Sequence, residues 1–177
     1  MKKILCMILL AALAFSLAAC SGDGGPTLNA DGLVEYSESG LEFALPENMT
    51  RRTVSYADIC YSDGTAEFFV YFYSRDALMT DLYFSDKDIT VAEYADWFVG
   101  INGYDGVAKK PDESGKKIEM HYVHEPDGEN TFYTDIIMRN SECLIHVTLS
   151  CPAENIADYA PAFEIWKKYI ALTYPDM

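Results

Sequence analysis

A chain of 177 residues with 13 Lys plus Arg against 28 Asp plus Glu has a formal charge of −15, which excludes nucleic acid, whose binding depends on Lys and Arg meeting phosphate. Half of its residues are apolar and 14% are aromatic, which excludes an acidic disordered tail and leaves core material for one domain. A cationic ligand, a peptide or a divalent ion is the partner such a field attracts, although the same charge also serves solubility alone.

Lys2 and Lys3 precede an apolar run from Ile4 to Leu17, and Leu17-Ala18-Ala19-Cys20 closes it. A basic n-region, an apolar h-region and small residues before a Cys match a bacterial lipobox, so residues 1–19 read as a lipoprotein signal peptide. The run is shorter than the ~20 residues a spanning helix needs. Cys20 is then the lipidation site, and the two acyl chains of a diacylglycerol there, at about 0.8 kcal/mol per CH₂, hold the protein to the membrane. This places the body outside the cytoplasm, lipid-anchored to the bacterial cell membrane, and the lipid on Cys20 is the only prosthetic group expected. Cleavage leaves 158 residues, and losing Lys2 and Lys3 takes the charge from −15 to −17. Residues 20–39, rich in Gly and small polar side chains, read as the lipidated Cys and a flexible tether, and residues 40–177 as a single domain.

Gly40 to Pro46 alternates apolar with small or polar residues and predicts a short strand. Thr53 to Tyr61 is a second strand candidate, closed by Ser62-Asp63-Gly64. The third, Ala66 to Tyr73, carries Phe68, Val70 and Phe72 on one face and Phe69, Tyr71 and Tyr73 on the other. A strand apolar on both faces predicts a sheet covered on both. Thr90-Val91-Ala92-Glu93 is a capping box, and Val91, Tyr94, Ala95, Phe98 and Ile101 follow at helical spacing until Gly100 or Gly103. Asn102-Gly103 and Asp105-Gly106 mark turns before a strand near Val107 to Lys110.

A three-strand meander follows, over Lys117 to Glu125, Phe132 to Arg139 and Cys143 to Cys151, with turns at Pro126-Asp127-Gly128 and Asn140-Ser141. Pairing Glu125 with Thr131 and Met138 with Cys143 gathers Ile118, Met120, Thr134, Ile136, Met138, Cys143, Ile145 and Val147 on one face. Beyond Pro152 a short turn is expected at Ala153 to Tyr159, then a main helix from Pro161, as its first residue, to Leu172. Phe163, Trp166, Tyr169, Ile170 and Thr173 form the expected inner stripe of that helix. With Cys20 lipidated, Cys60, Cys143 and Cys151 remain, an odd number. Cys143 and Cys151 lie too far apart on one strand to bond each other, which leaves either a disulfide from Cys60 to one of them or three free buried thiols.

The Phe43-Ala44-Leu45-Pro46 opening, two long strands, the Thr90 to Tyr94 helix start, the strand Ile145 to Cys151 and the Phe163 to Tyr169 helix together resemble the PsbP-like fold over residues 40–174. That resemblance implies an α+β protein, an α/β/α sandwich with a mainly antiparallel sheet of six or seven strands and helices on both faces. The fold serves an extrinsic photosystem subunit, a Ran-binding nuclear-import factor and many bacterial lipoproteins, so the resemblance implies an accessory or binding protein without chemistry of its own.

Three constellations bear on function. His121 and His124, three apart on a strand, point to opposite faces and make no local metal site. Under the register above, however, His121 opposes Asp135 and Asp135 opposes His146, a row that suits either a transition metal or a structural ladder. Tyr61, Tyr71, Tyr73, Tyr83 and Tyr104 are candidates for a recognition groove, with Tyr71, Tyr73 and Tyr104 as the ligand-binding choice. Asp81, Asp86 and Asp88 crowd one loop without EF-hand spacing, and no nucleophile elbow or phosphate loop occurs. The leading expectation is a non-catalytic binding or accessory lipoprotein with a protein or small-molecule ligand. Its alternatives are a metal-binding or hydrolytic protein using His121, Asp135 and His146, and a structural envelope-assembly factor.

Overall fold

The computed structural model describes residues 27–173, apart from 87, 105, 126 and 127. The lipobox Leu17 to Cys20 lies outside the described residues. None of the described helices is long and apolar enough to cross a membrane.

Among the described residues, ten strands build two antiparallel sheets. The chain runs β1 (Val34–Glu38), β2 (Leu41–Leu45), β3 (Thr50–Arg51), β4 (Ile59–Ser62), β5 (Glu67–Ser74), α1 (Arg75–Thr80), α2 (Val91–Asn102), β6 (Lys109–Pro111), β7 (Lys117–His124), β8 (Thr131–Arg139) and β9 (Cys143–Pro152). A 3₁₀ turn (Ala153–Asn155), α3 (Ile156–Trp166), a second 3₁₀ turn (Lys167–Tyr169) and β10 (Ala171–Leu172) close it. The large sheet has the order β3-β4-β5-β9-β8-β7-β6 and the small one β1-β2-β10. This is the expected α+β architecture with helices on both faces, with the small sheet as an addition.

Both faces of the large sheet are buried. On the first, Phe68, Val70, Ile136, Ile145, Val147 and Leu149 meet Leu41, Phe43 and Leu45 of β2 and Phe163 and Trp166 of α3. On the second, Ile118, Met120, Ile137 and Leu144 meet Leu78 of α1 and Val91, Tyr94 and Ala95 of α2. Each large apolar side chain so enclosed contributes about 1.5–3 kcal/mol, which is why β5 is apolar on alternate and intervening positions alike.

The capping box is formed as expected: the Glu93 amide donates to Thr90 Oγ1 at 3.1 Å and the Thr90 amide to Glu93 Oε2 at 2.7 Å. Gly103, at φ +67°, ends α2 in the left-handed region that favours glycine. Ile101 is 59% exposed and so leaves the predicted inner stripe. Ten residues at 100° each turn it about 80° away from Val91.

Four expectations are corrected. The ordered body starts earlier than residue 40, because β1 pairs with β2 inside the segment read as tether. Thr53 to Tyr61 is not one strand. β3 folds back on β4 with Thr50 opposite Ser62, and the Arg52 amide donates to the Cys60 carbonyl, so Thr53 starts the connecting loop. The terminal helix does not begin at Pro161 but at Ile156, with Pro161 inside it. Burial of Phe163 and Trp166 offsets the proline's lost hydrogen bond. That helix also stops at Trp166 rather than Leu172, since Ala171 and Leu172 pair with Glu42 and Leu41. The fourth correction, the meander register, decides the candidate site.

Candidate functional site

In the meander β7 pairs with β8 so that His121 faces Thr134, and Met120 faces Asp135. This is one residue from the register that opposes His121 to Asp135. In β8 and β9 Asp135 faces Thr148 and Met138 faces Ile145, two residues from the expected pairing, which leaves every side chain on its expected face. Asn140 Oδ1 sets that turn by accepting the amides of Glu142 and Cys143 at 2.9 and 2.8 Å. The single-residue shift in β7 has the larger effect, because it moves a whole strand's side chains to the other face. Ile118 and Met120 join the core under α2, and Glu119 and His121 move to the face under α3. The row His121/Asp135/His146 is therefore not formed.

Asp135 and His146 do meet, beneath α2. Asp135 is fully buried and His146 is 2% exposed. Tyr122 donates its hydroxyl to Asp135 Oδ2 at 2.5 Å and Thr148 donates to Oδ1 at 2.7 Å. His146 Nε2 approaches Oδ1 to 3.1 Å without an aligned hydrogen bond, and Nδ1 lies 3.2 Å from the Tyr94 hydroxyl. The contact with Asp135 is an ion pair only when the imidazole carries its second proton. Phe98 packs edge-on to the imidazole at 4.7 Å, and Tyr71 and Tyr94 flank it at 5.9 and 5.7 Å. Burial alone would raise the Asp135 carboxyl, but the His146 charge and the Thr148 and Tyr122 hydrogen bonds outweigh it and hold the group below the usual carboxylate range. Tyr122 and Tyr94 are pushed up, first by burial and then by neighbouring charge and hydroxyls, so both stay phenols.

Of the ligand-binding candidates, Tyr71 and Tyr73 stack at 6.4 Å, and Tyr104 packs on Tyr122 at 4.6 Å. All three are half-buried, but only Tyr71 flanks His146 directly, while Tyr73 packs on Tyr94 and Tyr104 on Tyr122. Tyr61 lies on the opposite face, where its hydroxyl donates to Glu38 at 2.9 Å and burial raises its pKa to about 12. Tyr83 stands 86% exposed. The five tyrosines do not line one groove. Cys60, Cys143 and Cys151 are all free, which resolves the disulfide question in favour of three thiols. Burial pushes all three up, Cys151 to about 11, so none is a thiolate nucleophile at neutral pH.

A second cluster sits under α3, where the β7 shift delivers Glu119 and His121. His121 Nε2 is 2.5 Å from Glu119 Oε1, and its Nδ1 is 2.9 Å from Thr134 Oγ1. Lys167 donates to Glu119 at 2.5 Å and to Glu164 at 2.7 Å. Burial opposes charge on both Glu119 and Lys167, yet each holds the other ionised: the Glu119 carboxyl lies below its usual value and the Lys167 ammonium above its own. Glu119 and His121 share a face by two-residue spacing, which the sequence displays. Glu164 and Lys167 reach them only through the docking of α3, for which the sequence carries no signal.

No protein-family model and no curated protein sequence matches the chain. Among solved structures it is similar to cyanobacterial PsbP (CyanoP) from Synechocystis sp. PCC 6803, with 16% identity and a TM-score of 0.46 over 86% of this chain and 98% of that one. It is also similar to PA94, a protein of unknown function from Pseudomonas aeruginosa, with 12% identity and a TM-score of 0.47 over 78% of this chain and 96% of that one. LpqN of Mycobacterium tuberculosis, described as involved in cell envelope biogenesis, gives 11% identity and a TM-score of 0.47 over 85% and 99%. These are likenesses of fold, with a PsbP among them.

Proposed function

We propose that the chain is a lipid-anchored extracytoplasmic lipoprotein whose acidic α+β body is a non-catalytic binding or accessory domain. The observation that carries the non-catalytic reading is the enclosure of its buried acid–imidazole pair. A general acid or base must reach the proton it transfers, and Asp135 and His146 are covered by Tyr94 and Phe98 of α2. The pair instead ties α2 to the sheet. The anchoring reading rests on Lys2-Lys3, the apolar run and Leu17-Ala18-Ala19-Cys20. A body of this charge is repelled by anionic headgroups and stands off the bilayer, so its ligand is a protein or a small cationic molecule rather than lipid.

Mass spectrometry of protein extracted from the producing cells tests the anchor. The expected product begins at Cys20 with a diacylglycerol thioether, and Cys20→Ser moves the protein from the membrane to the soluble fraction. An unmodified N-terminus, or a Cys20→Ser protein that still sediments with membranes, defeats the proposal. Crosslinking in intact cells then identifies what the body touches.

A further inference from the structure

We infer that Glu119, His121 and Glu164 form a binding site for one divalent transition-metal ion such as Zn²⁺, with Lys167 as the resident cation that the metal displaces. One ligand atom from each of the three side chains lies within 4.8 Å of the others. They come from two elements, Glu119 and His121 from β7 and Glu164 from α3, so an ion there bridges sheet and helix.

The imidazole is already held as a ligand is held. Thr134, fully buried, engages Nδ1 at 2.9 Å, which fixes the ring and turns Nε2 toward Glu119. Metal-bound histidines are oriented in this way by a partner on the far nitrogen. A cation also sits between the two carboxylates, since Lys167 Nζ lies 2.5 Å from Glu119 Oε1 and 2.6 Å from Glu164 Oε2. The two carboxylates carry two negative charges, which a single divalent ion matches, where the free protein sets Lys167 and the neighbouring Lys117 against them. The imidazole selects zinc, nickel or copper over magnesium and calcium, which prefer oxygen alone.

The geometry requires a small adjustment. Donors about 2.0 Å from a tetrahedral ion are about 3.3 Å apart. Glu119 and His121, at 2.5 Å, therefore separate slightly as the ion enters. Glu164 is exposed and supplies the route in, and water completes the shell. Lys117, half-buried beside Glu119 and Lys167, adds a second positive charge that opposes the metal. Expelling Lys167 is the main cost of binding, so removing that ammonium strengthens the site.

Calorimetric titration of the full chain with Zn²⁺ tests this under reducing conditions. One equivalent is expected to bind. His121→Ala should weaken binding at least tenfold, Lys167→Met should strengthen it at least tenfold, and His124→Ala should leave it unchanged. In the unsubstituted protein, Zn²⁺ should shift the His121 ring resonances and spare those of His124, a readout that survives if His121→Ala does not fold. Absence of saturable binding in both the unsubstituted protein and Lys167→Met overturns the inference. So does binding that His121→Ala leaves intact, or unmoved His121 resonances, since either assigns the zinc to thiols or another histidine.

Discussion

Asp135 is an ionised carboxylate without exposure, so its place in the core depends on Tyr122, Thr148 and His146. Asp135→Asn keeps the shape and removes the charge, leaving two hydroxyl donors and an imidazole without their anion. Breaking a buried pair from one side costs about 3–5 kcal/mol, and urea unfolding at pH 7 should show a loss of that order. The pH dependence has a definite sign. Because the folded carboxyl lies below its ordinary value, its contribution is complete above about pH 4, where the unfolded group is ionised, and is lost as pH falls through the folded value. Glu119 is depressed in the same direction, so the informative quantity is the difference between proteins. Asp135→Asn should have the shallower acid limb, and parallel limbs would show that Asp135 is not the depressed group. Sequence alone names Asp135 and His146 as partners because residues of like parity on neighbouring strands share a face. It assigns His121 wrongly because β7 places apolar side chains on one parity, and either face of a doubly covered sheet accepts them.

At the scale of the element, α2 and α3 differ in how local their causes are. The start and stop of α2 are written in Thr90, Glu93 and Gly103, each acting within one turn of chain. In α3 the local rule fails, since Pro161 sits in the sixth helical position, where its ring forfeits the bond to the Ala157 carbonyl. An interior proline costs about 3 kcal/mol, while its restriction of the unfolded chain returns about 0.4–1. Pro161→Ala should therefore raise stability by about 2–2.6 kcal/mol, read as a higher melting temperature. A lower melting temperature would mean that the ring itself is needed for packing. The helix passes through this proline because Phe163 and Trp166 lie beyond it and face β2 and the large sheet. Tyr159 adds a tie before it, donating to Asp63 at 2.9 Å.

For the molecule as a whole, two cores on opposite faces of one sheet leave no cross-link to hold them, since the three thiols are free. Reductant should leave the melting temperature unchanged. Alkylation of the native protein should label half-buried Cys143 first, with Cys60 and Cys151 reacting only on unfolding, and early labelling of Cys151 would contradict its enclosure. The amino-acid sequence by itself determined the α+β class, the capped helix, the meander and the parity of β8 and β9. Each of these depends on neighbours a few residues apart, where propensity, capping and alternation act. Only the tertiary structure decided which face β7 presents, that β1 precedes the expected start of the domain, that α3 spans its proline, and that Glu164 and Lys167 meet Glu119 and His121. Those outcomes turn on burial against segments distant in the chain, where several registers satisfy the same local pattern and packing selects among them.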